Sequence, residues 1–174
     1  MRPIKEDSVH IADYDPAWPS LFEAERELIA NALELWLVGP IEHVGSTAVP
    51  GLSAKPVIDI MAGVESLDAS REAIAVVENI GYQYSPYRAD VMHWFCKPSP
   101  AFRTHHLHLV PYLSELWTER LLFRDCLRSN PTVAHEYAEL KLRLAEIYRF
   151  DRESYTEAKG PFVKRVLKKI ARTE

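Results

Sequence analysis

Apolar residues recur at helical spacing at Leu21, Phe22, Leu28, Ile29, Ala32, Leu33, Leu35 and Trp36, which predicts an amphipathic helix with one buried face. Asp15-Pro16 supplies an N-cap and a first-turn proline, and Gly39-Pro40 a stop. Residues 9–11 read as a short strand before that helix, and residues 41–44 as a strand after it that runs into Gly45-Ser46. Beyond a loop through Pro50, Gly51 and Pro56, residues 57–64 are apolar except for Asp59, as expected of a central strand. A helix over 68–80 closes at Gly81, and residues 82–84, 91–96 and 105–110 follow as three more strands. From Ser114 onward the period is helical throughout: 114–129, then 131–150 capped by Asn130, then 161–172. The pattern is that of an α+β fold, a mixed sheet with helices packed on one face and a helical C-terminal third. Trp18, Trp36 and Trp117 fall within the amphipathic stretches and are expected in the core.

Composition narrows the class. At 174 residues, 47% hydrophobic and 26% charged, the chain suits one domain over 1–174 with no disordered tract. A net charge of -4 argues against general nucleic-acid binding, which draws its affinity from clustered cations. Cys96 and Cys126 have neither disulfide nor metal spacing, so buried reduced thiols are expected. Residues 1–8 are charged and proline-interrupted, and no apolar run is long enough to span a bilayer. A cytoplasmic protein is expected on these grounds.

Chemistry concentrates around one strand. Side chains alternate across a sheet, so Asp59 lies on the face opposite Ile58 and Ile60, and His106 and His108 share a face opposite Leu107 and Leu109. If the apolar sides are covered by helices, the carboxylate and both imidazoles converge on the open side. Parity leaves either Glu42 or His43 to join them. Asp59 and Glu42 with His106 and His108 form a donor set for a divalent cation, Mg, Mn or Zn; a solvated face and a carboxylate bonded to loop amides account for the same residues. Gly45, Ser46 and Thr47, at the end of a strand, have the chemistry of a phosphate cradle, though a capped tight turn has the same sequence. Lys55 stands at the mouth of the Asp59 strand, and Lys159 precedes a helix whose first turn holds Pro161. Arg120, Arg124 and Arg128 form an i, i+4 stripe, with Glu119 and Asp125 as candidate counterions and an anion site as the other reading.

Several blocks of the chain resemble the GrpB family: Tyr14-Asp15-Pro16-Ala17-Trp18-Pro19, the run from Ile41 through Gly45-Ser46-Thr47 to Leu52, and Ala54-Lys55-Pro56-Val57-Ile58-Asp59-Ile60. His106-Leu107-His108-Leu109-Val110, Leu122-Phe123-Arg124-Asp125 and Tyr155-Thr156 with Ala158-Lys159 and Pro161-Phe162 match its later blocks in order. The resemblance implies the nucleotidyltransferase superfamily fold, in which a Gly-Ser turn holds phosphates and strand carboxylates hold divalent metal. Some members are fused to dephospho-coenzyme A kinase, which implies nucleotide-related chemistry. The superfamily pairs its strand carboxylates two residues apart, whereas Asp59 is flanked at that spacing by Val57 and Met61.

Two functional expectations result. One is a metal-assisted nucleotidyltransferase-like enzyme, with Asp59 and Glu42 as catalytic carboxylates and Gly45, Ser46, Thr47, Lys55, Arg124 and Lys159 on a small phosphorylated ligand, a nucleotide foremost. The other is a noncatalytic nucleotide- or cofactor-binding module on the same fold. A hydrolase that activates water on a histidine-bound ion lacks a recognisable motif.

Overall fold

The computed structural model describes residues 8–173. The stretch 1–7, most of the segment read above for targeting signals, lies outside them. In chain order the elements are α1 (Trp18–Ala32), β1 (Leu37–Val44), a 3-10 turn (Ser46–Ala48), β2 (Ile58–Val64), α2 (Ala73–Asn79), β3 (Gln83–Ser85), β4 (His93–Pro98), β5 (Arg103–Pro111), α3 (Glu115–Ser129), α4 (Pro131–Ile147), α5 (Arg152–Ala158) and α6 (Gly160–Ala171). The five strands form one mixed sheet in the order β1-β2-β5-β4-β3. Its central pair, β2 and β5, is parallel, and the other neighbours are antiparallel.

Helix α1 starts where the sequence provides for it. Asp15 Oδ1 accepts from the Ala17 amide at 2.8 Å, and the Asp15 carbonyl accepts from Trp18 at 3.1 Å. The helix then ends earlier than its apolar period suggests, at Leu33, whose amide closes on Ile29. Gly39-Pro40 is therefore not a helix stop. It lies inside β1, where the register with β2 breaks between Leu37 and Ile41. Gly39 is demanded by packing, because a Cβ there would lie 2.4 Å from the Tyr112 ring. Residues 9–11 form no strand; Val9 donates to the Arg149 carbonyl at 2.8 Å, and Ala12 makes an isolated bridge to Ala54. Helix α5 is an addition to the expected elements, capped by Asp151, which accepts from the Ser154 amide.

The sheet buries both faces. On one, Ile58, Ile60, Ala62 and Val64 of β2 and Leu107 and Leu109 of β5 pack with Phe22 and Ile29 of α1, with Leu33 just after it, and with Ala73 and Val77 of α2. On the other, Val44, Met61, Trp94, Cys96 and Val110 meet Leu116 and Trp117 of α3. Trp18 and Trp117 are buried as expected, and Trp36 packs partly buried in the link between α1 and β1. Complete burial of Ile60, Met61, Leu107 and Leu109 fixes the central strands, since each such side chain contributes about 1.5–3 kcal/mol of apolar transfer. The helical third adds its own cluster of Leu127, Tyr137, Phe162 and Val166 against Val49 and Leu52, which seats the segment after the 3-10 turn. Lys141 reinforces that seat by donating to the Ser53 carbonyl. No helix among the described residues is long and apolar enough to cross a membrane.

Candidate functional site

The register brings the polar residues of two strands together. Asp59 pairs with His106 and Met61 with His108 across the parallel ladder, so Asp59, His106 and His108 all project from the face opposite α1 and α2. Asp59 Oδ1 accepts from His106 Nδ1 at 3.0 Å and from His108 Nε2 at 3.3 Å. Burial alone would raise the Asp59 pKa, but the hydrogen bonds to His106 and His108 outweigh it and hold the carboxyl well below its ordinary range. Burial, helped by nearby Arg120, pushes the His108 pKa down to about 3 against the pull of Asp59, so that ring is neutral at pH 7. Its second nitrogen faces Met92 Sδ at 3.4 Å, while His106 Nε2 is buried with no partner among the described residues.

Glu42 does not join this cluster. It shares the Asp59 face, but stands opposite Met61, one strand over, where Arg124 Nη1 donates to its Oε2 at 2.7 Å. The same guanidinium donates to the His43 carbonyl at 3.1 Å and to Asp125 at 2.8 Å. Glu42 therefore lies outside the donor group of Asp59, His106 and His108, and it and Arg124 are paired with each other. Thr47 is also committed. Its hydroxyl donates to the Val57 carbonyl at 3.2 Å and, having one proton, must accept from His43 Nε2 at 2.9 Å. His43 can hold that neutral tautomer because burial pushes its pKa down to about 4.

Gly45 and Ser46 remain at the site. Gly45 is exposed, with φ +73°, and its backbone lies so close to the carboxylate that a Cβ would stand 2.6 Å from Asp59 Oδ2. Burial pushes the pKa of the Tyr137 phenol on α4 up, with nearby Ser46 offsetting part of the rise. Behind the turn, Arg128 donates to the Ala48 carbonyl at 2.9 Å, and Asp125 serves as counterion to both Arg124 and Arg128.

Lys55 and Lys159 flank one ring. Their ammonium groups lie 5.3 and 4.5 Å from the Tyr155 centroid, and neither has a carboxylate within ion-pair distance among the described residues. Burial, then the charges of Lys159 and Arg152, push the Lys55 pKa down to about 7, with Asp59 offsetting part of the loss. Burial lowers Lys159 to about 8, again against the field of Asp59. The same carboxylate acts on Arg120, which burial brings down to about 10. The charge of Asp59 thus favours the protonated form of all three cations, with burial opposing it in each.

The Asp59, His106 and His108 donor atoms all lie within 4.8 Å of one another. Separations of 3.0 and 3.3 Å match the ligand–ligand edges of about 2.9–3.4 Å that metal bonds of about 2.0–2.1 Å produce. Two imidazoles and one carboxylate fit a single Zn²⁺- or Mn²⁺-like ion better than Mg²⁺, which prefers oxygen. Tyr155, Tyr137 and Trp94 were not singled out by sequence reasoning. The first two come from helices remote in sequence, whereas Trp94 follows from the pairing of β4 with His108.

A model of the GrpB protein family matches residues 8–169. A UPF0157 protein of Pseudomonas aeruginosa is 44% identical over 93% of this chain and 67% of its own length. The glutamate-rich protein GrpB of Alkalihalophilus pseudofirmus is 36% identical over 98% of this chain and all of its own. The crystal structure of the conserved protein GrpB from Enterococcus faecalis superposes with a TM-score of 0.82 at 33% identity, covering 92% of this chain and 96% of that one.

Proposed function

Since the chain belongs to the GrpB family, we propose that its polar pocket binds a phosphorylated nucleotide or related ligand, with one divalent ion on Asp59, His106 and His108 supporting nucleotidyl transfer. The observation that carries this reading is the pair Lys55 and Lys159, both drawn onto Tyr155 with no acid at ion-pair distance among the described residues. Desolvated ammonium groups are costly unless a ligand completes them. A phosphate does so, and the Gly45–Ser46 turn gives it close backbone approach.

The charge balance also sets how an ion would enter. Alone, a divalent cation meets one carboxylate among Lys55, Lys159 and Arg120, so anion and ion each favour the other's binding. When bound, the ion would supply Lewis-acid neutralisation of developing phosphate charge. Lys55 and Lys159 hold the anion, Gly45 fixes its distance from Asp59, and the two imidazoles hold the carboxylate in place. A nucleotidyltransferase-like protein acting on small phosphorylated ligands in a reducing cytoplasm fits the free thiols of Cys96, which is buried, and Cys126, which is partly so.

A noncatalytic binding module is the second reading. It is favoured by Val57 and Met61 at the positions flanking Asp59 and by the commitment of Glu42 to Arg124, which leave a single strand carboxylate. Calorimetry of nucleoside phosphates with Mg²⁺, Mn²⁺, Zn²⁺ or no metal separates the two. The expected result is affinity raised at least tenfold by Mn²⁺ or Zn²⁺ and lost in Asp59→Asn. Equal binding by both proteins, with or without metal, leaves the noncatalytic module standing, and no binding by any phosphate compound defeats both readings. Ser46→Ala should weaken phosphate-bearing ligands about three- to tenfold, the worth of one hydrogen bond, and leave unphosphorylated nucleosides unchanged. Unaltered phosphate affinity in that variant would remove Ser46 from the cradle.

A further inference from the structure

Among the described residues, lysines sit on the rings of Tyr82, Tyr137 and Tyr155, and the settings differ in what answers the charge. Lys97 lies 5.1 Å from the Tyr82 centroid and is paired with Glu25. Lys141 lies 4.9 Å from the Tyr137 centroid, donates to the Ser53 carbonyl and is 1% exposed, out of reach of a ligand. Lys55 and Lys159 share Tyr155, are both partly exposed, and have no acid at ion-pair distance among the described residues. Their floor is fixed, because Tyr155 is buried against Val9 and Leu144. Lys55 is held on both sides along the chain: Ala54 bridges to Ala12, and the Val57 amide donates to the Lys55 carbonyl at 2.7 Å.

Desolvation and a neighbouring cation are the two means by which a lysine amine becomes reactive toward a carbonyl carbon, and Lys55 has both. Burial, then the charges of Lys159 and Arg152, bring its pKa down to about 7; Arg103 adds to the lowering and Asp59 opposes it. Lys159, lowered to about 8 and nearer the ring, stays mainly an ammonium at pH 7. Resting on the phosphate reading above for the anionic group alone, we propose that Lys55 is a covalent site, whose amine forms an imine with a small aldehyde or ketone carrying a phosphate held by Lys159. In the step the Nζ lone pair makes the C–N bond, the carbonyl C–O bond breaks, and the oxygen leaves as water with the two amine hydrogens. Nothing is oxidised or reduced, and no further reactant enters. The activity is separate from nucleotidyl transfer, since it uses an amine and not an ion on Asp59, His106 and His108.

The test treats the whole protein near pH 7 with pyridoxal phosphate or with pyridoxal, reduces the imine with cyanoborohydride and maps the adducts by peptide mass spectrometry. Lys55 should be labelled about tenfold or more faster than the exposed Lys164, Lys168 and Lys169. Lys55→Arg, which keeps the charge without a primary amine, should lose that fast adduct. Relative to the exposed lysines, pyridoxal should label Lys55 more slowly than pyridoxal phosphate does, and tripolyphosphate should protect it. Labelling of Lys55 no faster than the surface lysines, or a fast adduct on Lys159 or Lys141 in its place, overturns the covalent site. Fast labelling by both probes, unprotected by tripolyphosphate, keeps the reactive amine and removes the phosphate reading. Tripolyphosphate binding is also measured by calorimetry, so loss of the covalent site leaves the phosphate reading to stand or fall on its own.

Discussion

Replacing Lys55 and Lys159 together by methionine should weaken phosphate-bearing ligands at least a hundredfold and yet make the protein more stable at pH 7. The loss follows from two charge-assisted contacts, each worth about 1.5–3 kcal/mol. The gain follows from linkage. With folded pKa values of about 7 for Lys55 and about 8 for Lys159, both below the ordinary lysine value, the folded chain binds fewer protons than the unfolded one from roughly pH 7 to 10. Stability contributed by these groups therefore rises with pH across that window and is lowest at its acid end. Methionine keeps the apolar stem and removes the desolvated ammonium, for a gain of about 1–2 kcal/mol after allowance for solvent screening. Urea unfolding at pH 7 and pH 9 checks this: the wild type should gain stability with pH, and the double variant should gain less. Lys141, lowered to about 7 by burial and by Lys159, keeps some of the slope in the variant. A variant that is less stable at pH 7, or that binds phosphate as before, would make the two lysines structural props.

Gly45→Ala should abolish ligand binding and lower stability by about 1–3 kcal/mol from the backbone alone, since φ +73° suits glycine and strains other residues. The new methyl group would also stand 2.6 Å from Asp59 Oδ2, and the carboxylate can retreat only by breaking its bonds to His106 and His108. Gly51→Ala is the matched control. Gly51 has φ +79° with nothing within 4 Å of the built Cβ, so it isolates the backbone cost from the collision. Equal unfolding free energies for the two variants would mean that the Gly45 contact with Asp59 is not tight in solution.

Parity was the reliable signal in the sequence. The alternation His106-Leu107-His108 and the lone Asp59 among apolar neighbours were enough to place three side chains on one face, because a strand has only two faces and one is visibly apolar. Parity also put Glu42 within reach of that face, but could not reveal that Arg124, 82 positions away, claims it. That contact depends on where α3 crosses β1, a matter of tertiary packing. The end of α1 was misplaced for a similar reason: the apolar period runs on through Leu35 and Trp36, while pairing of Leu37 with Val64 takes the chain into the sheet. Helix α5 was hidden by its length of seven residues, too short for a period to show. Tyr155 and Lys159 stand at i, i+4 and their meeting is local, but only tertiary packing brings Lys55 to the same ring.

Pro40 has a consequence for how molecules of this protein meet. Strand β1 is an outer strand of the sheet, and outer strands with free amides and carbonyls invite intermolecular pairing that can end in aggregates. The risk is real here, because Leu35 and Val38 near that margin are 86% and 54% exposed. A residue with no amide proton, set where the ladder already slips, leaves an incoming chain without a continuous row to dock on. At the far margin β3 is only three residues long, so neither side of the sheet offers a long template for polymerisation.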